Sequence, residues 1–376
     1  MLFDEIVNSA YTHREYPALD SLSAEWRQSR PFEGLRVLVA TPIFRNTLLE
    51  YRALLAGGAG LVAGRAGGEG GTSMPCDAKI VDLLRESGIP LLTPAEVLAG
   101  ESEGAFFDLI LDCAGQFSAC HPRHGFVELT RSGVQFFEKS SLPVYVADSG
   151  IVKRIETCLG TGEGYFRALE QLGFAEGASE GGTPPATRLL VFGSGKVGSG
   201  IALQGVRRGC AVTVATDTQR AGGANDFSQV LSQNGVAVLD FRDYAAVSSA
   251  IAESRLVVTA TGVKGALDHP QIVEALLASD AVLANMGVED EYGPGVPAAR
   301  VLAEKKPLNF ILEEPTHLKY IDASLALHVA LGELLVRGTQ KETGPMDPPS
   351  ELEQKIIMVT INQGAIGDEL CGMMGL

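Results

Sequence analysis

Basic side chains are scarce in this chain of 376 residues: 30 Lys and Arg face 46 Asp and Glu, for a formal net charge of -16. A surface of that sign repels phosphate backbones and anionic membrane surfaces, which are bound by clustered Lys and Arg, so neither nucleic acid nor membrane is an expected partner. No uninterrupted apolar run approaches bilayer-spanning length, and the first ten residues already carry Asp4 and Glu5 where a secretory leader would be apolar. A cytoplasmic location is therefore expected. The six cysteines, Cys76, Cys113, Cys120, Cys158, Cys210 and Cys371, stand far apart without a CxxC pair, which argues for reduced thiols and against a disulfide frame or a zinc site. No metal is expected.

What the chain has in quantity is apolar. With 45% hydrophobic and only 20% charged residues it can bury two sizeable cores, and its length suggests two domains. Strand-like and helix-like patterns alternate, as in parallel sheets covered by helices on both faces. The fold class expected is α/β, with two doubly wound domains and a cleft between them. The first layer runs through Leu35 to Ala40, Gly60 to Ala63, Pro90 to Leu92, Leu109 to Asp112 and Pro143 to Val146. It is read as a flavodoxin-like substrate domain over 1–160, completed by C-terminal helices in 321–376. Gly64 to Thr72 lacks a following Gly-Lys-Ser/Thr and reads as a plain connection rather than a P-loop. Ser149 to Leu172 reads as one long helix, interrupted by Gly160-Thr161-Gly162, before the polar linker 175–187. The second layer, a Rossmann dinucleotide-binding domain over 161–320, starts at Arg188 to Phe192 and continues through Ala211 to Ala215, Val236 to Leu239, Leu256 to Thr259, Ala281 to Ala284 and Asn309 to Leu312. Gly338 to Pro349 reads as a loop and Glu351 onward as a last helix.

The most informative run is Gly193-Ser194-Gly195-Lys196-Val197-Gly198, which follows a strand pattern and opens a helical one. In a G-x-G-x-x-G turn the first glycine permits the tight turn, the second lets backbone approach a diphosphate, and the third packs the helix on the sheet. The phosphates then face unpaired N–H groups at the positive end of the helix dipole. The next strand ends at Thr216-Asp217, about 20 residues on, where a ribose-binding acid belongs. A carboxylate there accepts ribose hydroxyls and repels a 2′-phosphate, so NAD is expected over NADP, with Arg220 as the counter-signal.

From about Arg45 to Asp290 an ordered set of elements can be followed: Gly88-Ile89-Pro90, Asp112 to Gly115, Glu128-Leu129-Thr130-Arg131-Ser132-Gly133-Val134, Asp148-Ser149, the glycine turn, Thr259-Ala260-Thr261-Gly262 and Asn285-Met286-Gly287. In order and spacing this resembles the S-adenosylhomocysteine hydrolases. The resemblance implies a tightly held NAD contacted by the glycine turn, by Thr259 to Gly262, by Asn285 and Gly287, and by Asn309, with Thr130 and Ser132 as contacts from the first domain. The family's catalytic positions match poorly. Val152 stands where the family has a lysine, with Lys153 next to it, and Ala147 replaces an asparagine. Glu156-Thr157 replaces an Asp-Asn pair, Cys113 an aspartate and Val288 a histidine; the His and Thr that grip adenosine fall on Pro42 and Phe44. The C-terminal Lys and Tyr of the family are absent from the tail Asp368 to Leu376.

Without those groups both proton transfers of the hydrolase reaction lose their agents, each ordinarily worth about 10²- to 10⁴-fold. The expectation is accordingly a relative that kept hydride transfer, an NAD-dependent oxidoreductase. Its proton-transfer candidates are Lys153 and Glu156, near one helical turn apart, with Asp112 and Cys113 at a strand's C-terminal end. Cys113 also reads as a small buried hydrophobe, and Lys153 with Glu156 as a solvated helix face. For substrate, Arg45 beside Asn46, Arg123 and Arg131 offer guanidinium forks for a carboxylate. The clusters around His121, Arg123 and His124, and around Glu314 and His317, offer further polar contacts. A small polar metabolite, carboxylate- or amino-acid-like, fits such a set, and a homo-oligomer is expected. Two other readings stay open: a hydrolase with rearranged catalytic groups, and a regulator that binds NAD without turnover.

Overall fold

The computed structural model describes residues 3–65, 76–174, 187–219, 228–338 and 342–371. Most of the glycine-rich stretch after Gly64, most of the linker 175–187, and Arg220 lie outside these residues. By contacts the chain divides into two compact units, one of Met1–Ile155 with Leu318–Asp368, the other of Glu156–His317 with the residues from Glu369. Among the described residues no helix is long and apolar enough to cross a membrane.

The first unit holds strands β1 (Arg36–Val39), β2 (Gly60–Gly64), β3 (Leu91–Leu92), β4 (Leu109–Asp112), β5 (Phe126–Glu128) and β6 (Pro143–Val146). The second holds β7 (Arg188–Phe192), β8 (Ala211–Thr216), β9 (Ala237–Asp240), β10 (Leu256–Thr259) and β11 (Val282–Asn285); β12 (Gly344–Met346) returns to the first. The sheet orders are β12-β6-β5-β4-β1-β2-β3 and β11-β10-β7-β8-β9, and every pair is parallel. Counted within its own unit, the second sheet has the order 3-2-1-4-5 of a Rossmann-like dinucleotide fold. The first follows the flavodoxin order 2-1-3-4-5 only if β3 is set aside; this two-residue edge strand pairs outside β2 and shifts the order to 3-2-1-4-5-6. The fold is thus α/β with two doubly wound parallel sheets.

The central strands are short apolar runs buried on both faces, as parallel sheets under helices require: Leu-Ile-Leu-Asp in β4 and Leu-Val-Val-Thr in β10 are buried at every position. Leu38, Ile110, Phe126 and Val144 anchor the first core, and Leu190, Phe192, Val257 and Ile272 the second.

Two sequence expectations fail for local reasons. Asn309 to Leu312 is no strand but part of a 3₁₀ turn, Leu308–Ile311. Pro307 precedes it, and Ala303, Glu304 and Lys305 hold left-handed φ values of 51°, 52° and 68°, so the chain cannot run on extended. The expected loop 338–349 contains β12, whose Gly-Pro-Met carries no alternation to reveal it. The long helix expected over Ser149 to Leu172 is present from Lys153: a π-helical segment, Ile155–Gly160, runs on without a gap into the α-helix Thr161–Gln171.

Candidate functional site

In a doubly wound sheet ligands lie beyond the C-terminal strand ends, where the strand order reverses. In the second unit that point lies between β7 and β10. Phe192 of β7 is in register with Thr259 of β10. Gly193, at φ 102°, turns so tightly that a Cβ there would stand 2.5 Å from the Ala260 carbonyl oxygen. The helix Lys196–Arg207 then starts on Gly195, an N-cap without a side-chain hydrogen bond. Gly195 is exposed, and a Cβ on it would meet nothing within 4 Å. A Cβ on Gly198 would run into the Gly193 carbonyl. The turn therefore has one glycine for its bend, one for helix packing, and between them one facing open space at a helix N-terminus. Ser194 Oγ lies 2.7 Å from Thr216 Oγ1, joining the glycine turn to the end of β8.

Other expected cofactor contacts have protein partners already. Asp217 is held by both terminal nitrogens of Arg242, each at 2.7 Å. The turn after β10 is closed by the fully buried Glu291: its carboxylate accepts from Thr261 N (2.7 Å), Thr261 Oγ1 (2.8 Å), Gly262 N (2.7 Å) and the Thr259 hydroxyl. A Cβ on Gly287 would collide with that carboxylate. Asn285, fully buried, donates from Nδ2 to the carbonyls of Gly287, Glu289 and Lys305, and its Oδ1 accepts from Gly287 N at 3.0 Å. It pins the loop from 285 to 305 and leaves no amide hydrogen for a ligand. Asn309 is buried beside Gly164, and Val288 is 90% exposed.

On the same unit Glu163, Arg167 and His317 meet. Glu163 Oε1 lies 2.9 Å from His317 Nδ1, while Oε2 accepts from Arg167 Nε at 2.8 Å. Burial pulls the Glu163 carboxyl upward, but the hydrogen bonds and charges of His317 and Arg167 outweigh it and hold the group below the usual carboxylate value. Arg167 Nη2 also donates to the Glu314 carbonyl at 2.9 Å. The carboxylate of Glu163 escaped sequence reasoning because its partner lies 154 residues away.

In the first unit the order reverses between β1 and β4. There Asp112 and Glu128, both fully buried, face each other in the β4–β5 register. Asp112 accepts from Cys113 N (2.8 Å) and Phe117 N (2.9 Å). Glu128 accepts from Ala114 N and Gly115 N (each 2.9 Å), Thr130 N (2.7 Å) and Thr130 Oγ1 (2.6 Å). Burial first, and then the neighbouring Glu128, push the Asp112 carboxyl well above its usual range, against those backbone donors. The pair holds a turn in which Ala114 and Gly115 are both left-handed, at φ 60° and 66°. Asp112 is thereby a loop cap, and Cys113 a buried thiol at 5% exposure. Thr130 also touches Ser132 Oγ at 3.1 Å, with exposed Arg131 between them. Arg45, hydrogen-bonded to Tyr11, and buried Asn46 follow β1 on this same edge. Lys153 follows β6, buried to 3% exposure; Glu156 opens the π-helical segment, where an i, i+3 spacing no longer stacks two side chains, and it belongs to the second unit.

His121, Arg123 and His124 do not join the others. Parallel strands oblige the chain to return from the C-terminal end of β4 to the start of β5, so these residues sit on the opposite, N-terminal edge. His124 N bonds the carbonyl of Asp108, just ahead of β4. His121 lies against Glu101 (2.9 Å), and Arg123 against Asp108 (3.0 Å). His328 is fully buried between Glu50 (2.7 Å) and the Val127 carbonyl (3.0 Å).

No family model matches the chain, and no curated protein matches it. Among solved structures it is similar to a component of dipicolinate synthase from Bacillus halodurans, at 12% identity over 81% of this chain and 98% of that one, with a TM-score of 0.47. It is also similar to a transhydrogenase from Sinorhizobium meliloti (16% identity, 83% and 97% covered, TM-score 0.46) and to a component of dipicolinate synthase from Bacillus subtilis (11%, 82% and 99%, TM-score 0.48). At these identities and TM-scores the likeness carries no argument about function; the fold stated above rests on the strand order itself.

Proposed function

We propose that this chain is a nicotinamide-dinucleotide-binding protein, with the diphosphate over Gly193 to Gly198 and the adenosine ribose toward Thr216 and Asp217. One observation carries the reading: a helix N-terminus at the strand-order reversal, begun by an exposed glycine with open space at its Cβ position and no side-chain cap. When bound, such a group supplies reversible hydride transfer. NAD is preferred over NADP in this reading because Asp217 directly follows β8. The resemblance to adenosylhomocysteine hydrolases agrees with it in the order of the glycine turn, Thr259 to Gly262 and Asn285 to Gly287.

Binding stands ahead of the expected turnover, since two of the four proton-transfer candidates are otherwise engaged: Asp112 caps a loop and Cys113 is buried beneath it. Hydrolase chemistry is not expected, because neither Val152, which is buried, nor Val288 can move a proton. The oxidoreductase reading, on a small carboxylate-bearing metabolite, is favoured by one arrangement, that of Glu163 with His317.

The test is Gly195→Leu with NADH titrated by calorimetry. Gly195 has φ -68° and ψ -175°, open to any residue, and free space at Cβ, so the variant should fold and melt as the wild type does. NADH affinity should fall at least about 100-fold as the side chain fills the phosphate position. Undiminished affinity in a folded variant rejects the assignment.

A further inference from the structure

The contact between Glu163 and His317 has the form of an acid–base dyad. Its carboxylate is buried at 9% side-chain exposure, while the imidazole is 38% exposed. Nδ1 faces Glu163 at 2.9 Å, and Nε2 has no hydrogen-bond partner among the described residues. A carboxylate on Nδ1 fixes the ring and its tautomer, so the lone pair of the neutral ring stands on Nε2.

The surrounding backbone is shaped to hold this pair. A Cβ on Gly164 would stand 2.6 Å from the Pro315 carbonyl oxygen, so glycine there lets the segment leading into His317 lie against the helix Thr161–Gln171. Arg167 ties the Glu314 carbonyl while balancing the Glu163 charge. A Cβ on Gly162 would stand 2.5 Å from Gly200, which lies in the second turn of the helix that the glycine turn begins. The dyad's helix is thereby packed directly on the helix assigned to the dinucleotide.

We propose that His317 Nε2 is the proton acceptor and donor for the oxygen of a small secondary alcohol or its ketone, with Glu163 as the residue that positions it. The inference rests on the dinucleotide reading above. In the oxidative direction the substrate O–H and C–H bonds break and a C=O bond forms. The proton goes to Nε2, and the hydride, with its electron pair, goes to the oxidised nicotinamide, which is reduced as the alcohol is oxidised. The charged groups joined to the imidazole are Glu163, on Nδ1, and Arg167, which donates to the same carboxylate.

Two measurements on the full chain decide it. In ¹⁵N-histidine spectra without any nucleotide, His317 should show the neutral tautomer protonated on Nδ1, and Glu163→Ala should abolish that preference; a ring protonated on Nε2 in the wild type overturns the proposal. Next, NAD(H) turnover is followed by absorbance with 2-hydroxy acids and their 2-oxo counterparts, beside NADH calorimetry. His317→Asn should lose about 10²- to 10⁴-fold in kcat with NADH affinity unchanged. Glu163→Gln should shift the acid limb of the pH–rate profile. NADH binding without turnover by the wild type, or turnover untouched in His317→Asn, overturns the dyad alone. Failure of the wild type to bind NADH overturns the dinucleotide reading, and the dyad with it.

Discussion

The two parallel sheets are built alike and differ at their C-terminal edges. In the first unit the backbone donors around the strand ends are closed by the protein's own carboxylates. Asp112 and Glu128 take the N–H groups of the 113–117 turn, and Glu353 takes Val152 N. Asp322 takes Ala18 N and Leu19 N, at the start of the helix Pro17–Ser29, which has no side-chain cap of its own. In the second unit Glu291 closes the turn after β10, but the turn after β7 begins its helix on a bare glycine. A turn filled by an internal carboxylate cannot accept an external anion, and the open turn is the one to which the dinucleotide is assigned in the proposal.

Proton affinities follow the same division. Burial pushes Asp322 up to about 7, opposed by Ala18 N and Leu19 N, and raises Asp112 and Glu353 as well. In the second unit Glu163 is held down by His317 and Arg167 despite burial. For Asp322 the folded value lies above the unfolded one, so its contribution is complete below about pH 4 and is lost as pH rises through 7. The loss is at most about 4 kcal/mol, from 1.36 kcal/mol per pH unit. For Glu163 the sign reverses: its contribution is present above the ordinary carboxylate value and is lost as pH falls through the lowered one. Melting of wild type and Asp322→Asn from pH 4 to 8 checks this, the wild type losing stability across pH 4–7 and the variant showing a flatter profile. An identical slope in both would mean that Asp322 does not set the pH dependence.

Opening the closed turn after β10 breaks the contrast from the other side. Glu291→Ala leaves Thr261 N and Gly262 N without their acceptor. Both donors are only part-buried, so at about 1–3 kcal/mol for a fully buried donor left unsatisfied a combined cost of about 2 kcal/mol is expected in urea unfolding. A loss under about 0.5 kcal/mol would mean that water replaces the carboxylate at no cost.

Much of this was legible in the sequence because it is local. The glycine turn carries its geometry in six consecutive residues, and the buried strands show as apolar runs such as Leu109 to Asp112. What sequence reading missed depends on parallel connectivity or on distant pairs. His121, Arg123 and His124 look in sequence as if they join the other candidates, but the crossover from β4 to β5 carries them to the N-terminal edge of the sheet. Glu291 and Glu163 look like ordinary charges, because the donors they satisfy, Thr261 N and His317 Nδ1, lie 30 and 154 residues away. Asn285 was found for its position, but its amide holds its own loop.

The smallest expected effect concerns the ribose end of the open edge. Asp217 directly follows β8, where a carboxylate accepts ribose hydroxyls and disfavours a 2′-phosphate, yet Arg242, two residues beyond β9, grips it with two hydrogen bonds of 2.7 Å. The guanidinium competes for the oxygens a ribose would use and offers a cation to a phosphate in the same place. Wild-type protein should therefore prefer NADH over NADPH by a modest margin. Arg242→Ala frees the carboxylate and removes the cation, so NADPH should weaken while NADH holds or tightens, widening the preference about tenfold as one bidentate guanidinium–phosphate contact is lost. Asp217→Asn, which keeps the hydroxyl acceptor and drops the charge, should narrow it. Calorimetric titration of both nucleotides into the three proteins gives the ratios. Equal ratios in all three would place the ribose elsewhere and leave Asp217–Arg242 as a surface ion pair, whereas movement in opposite directions assigns discrimination to this pair.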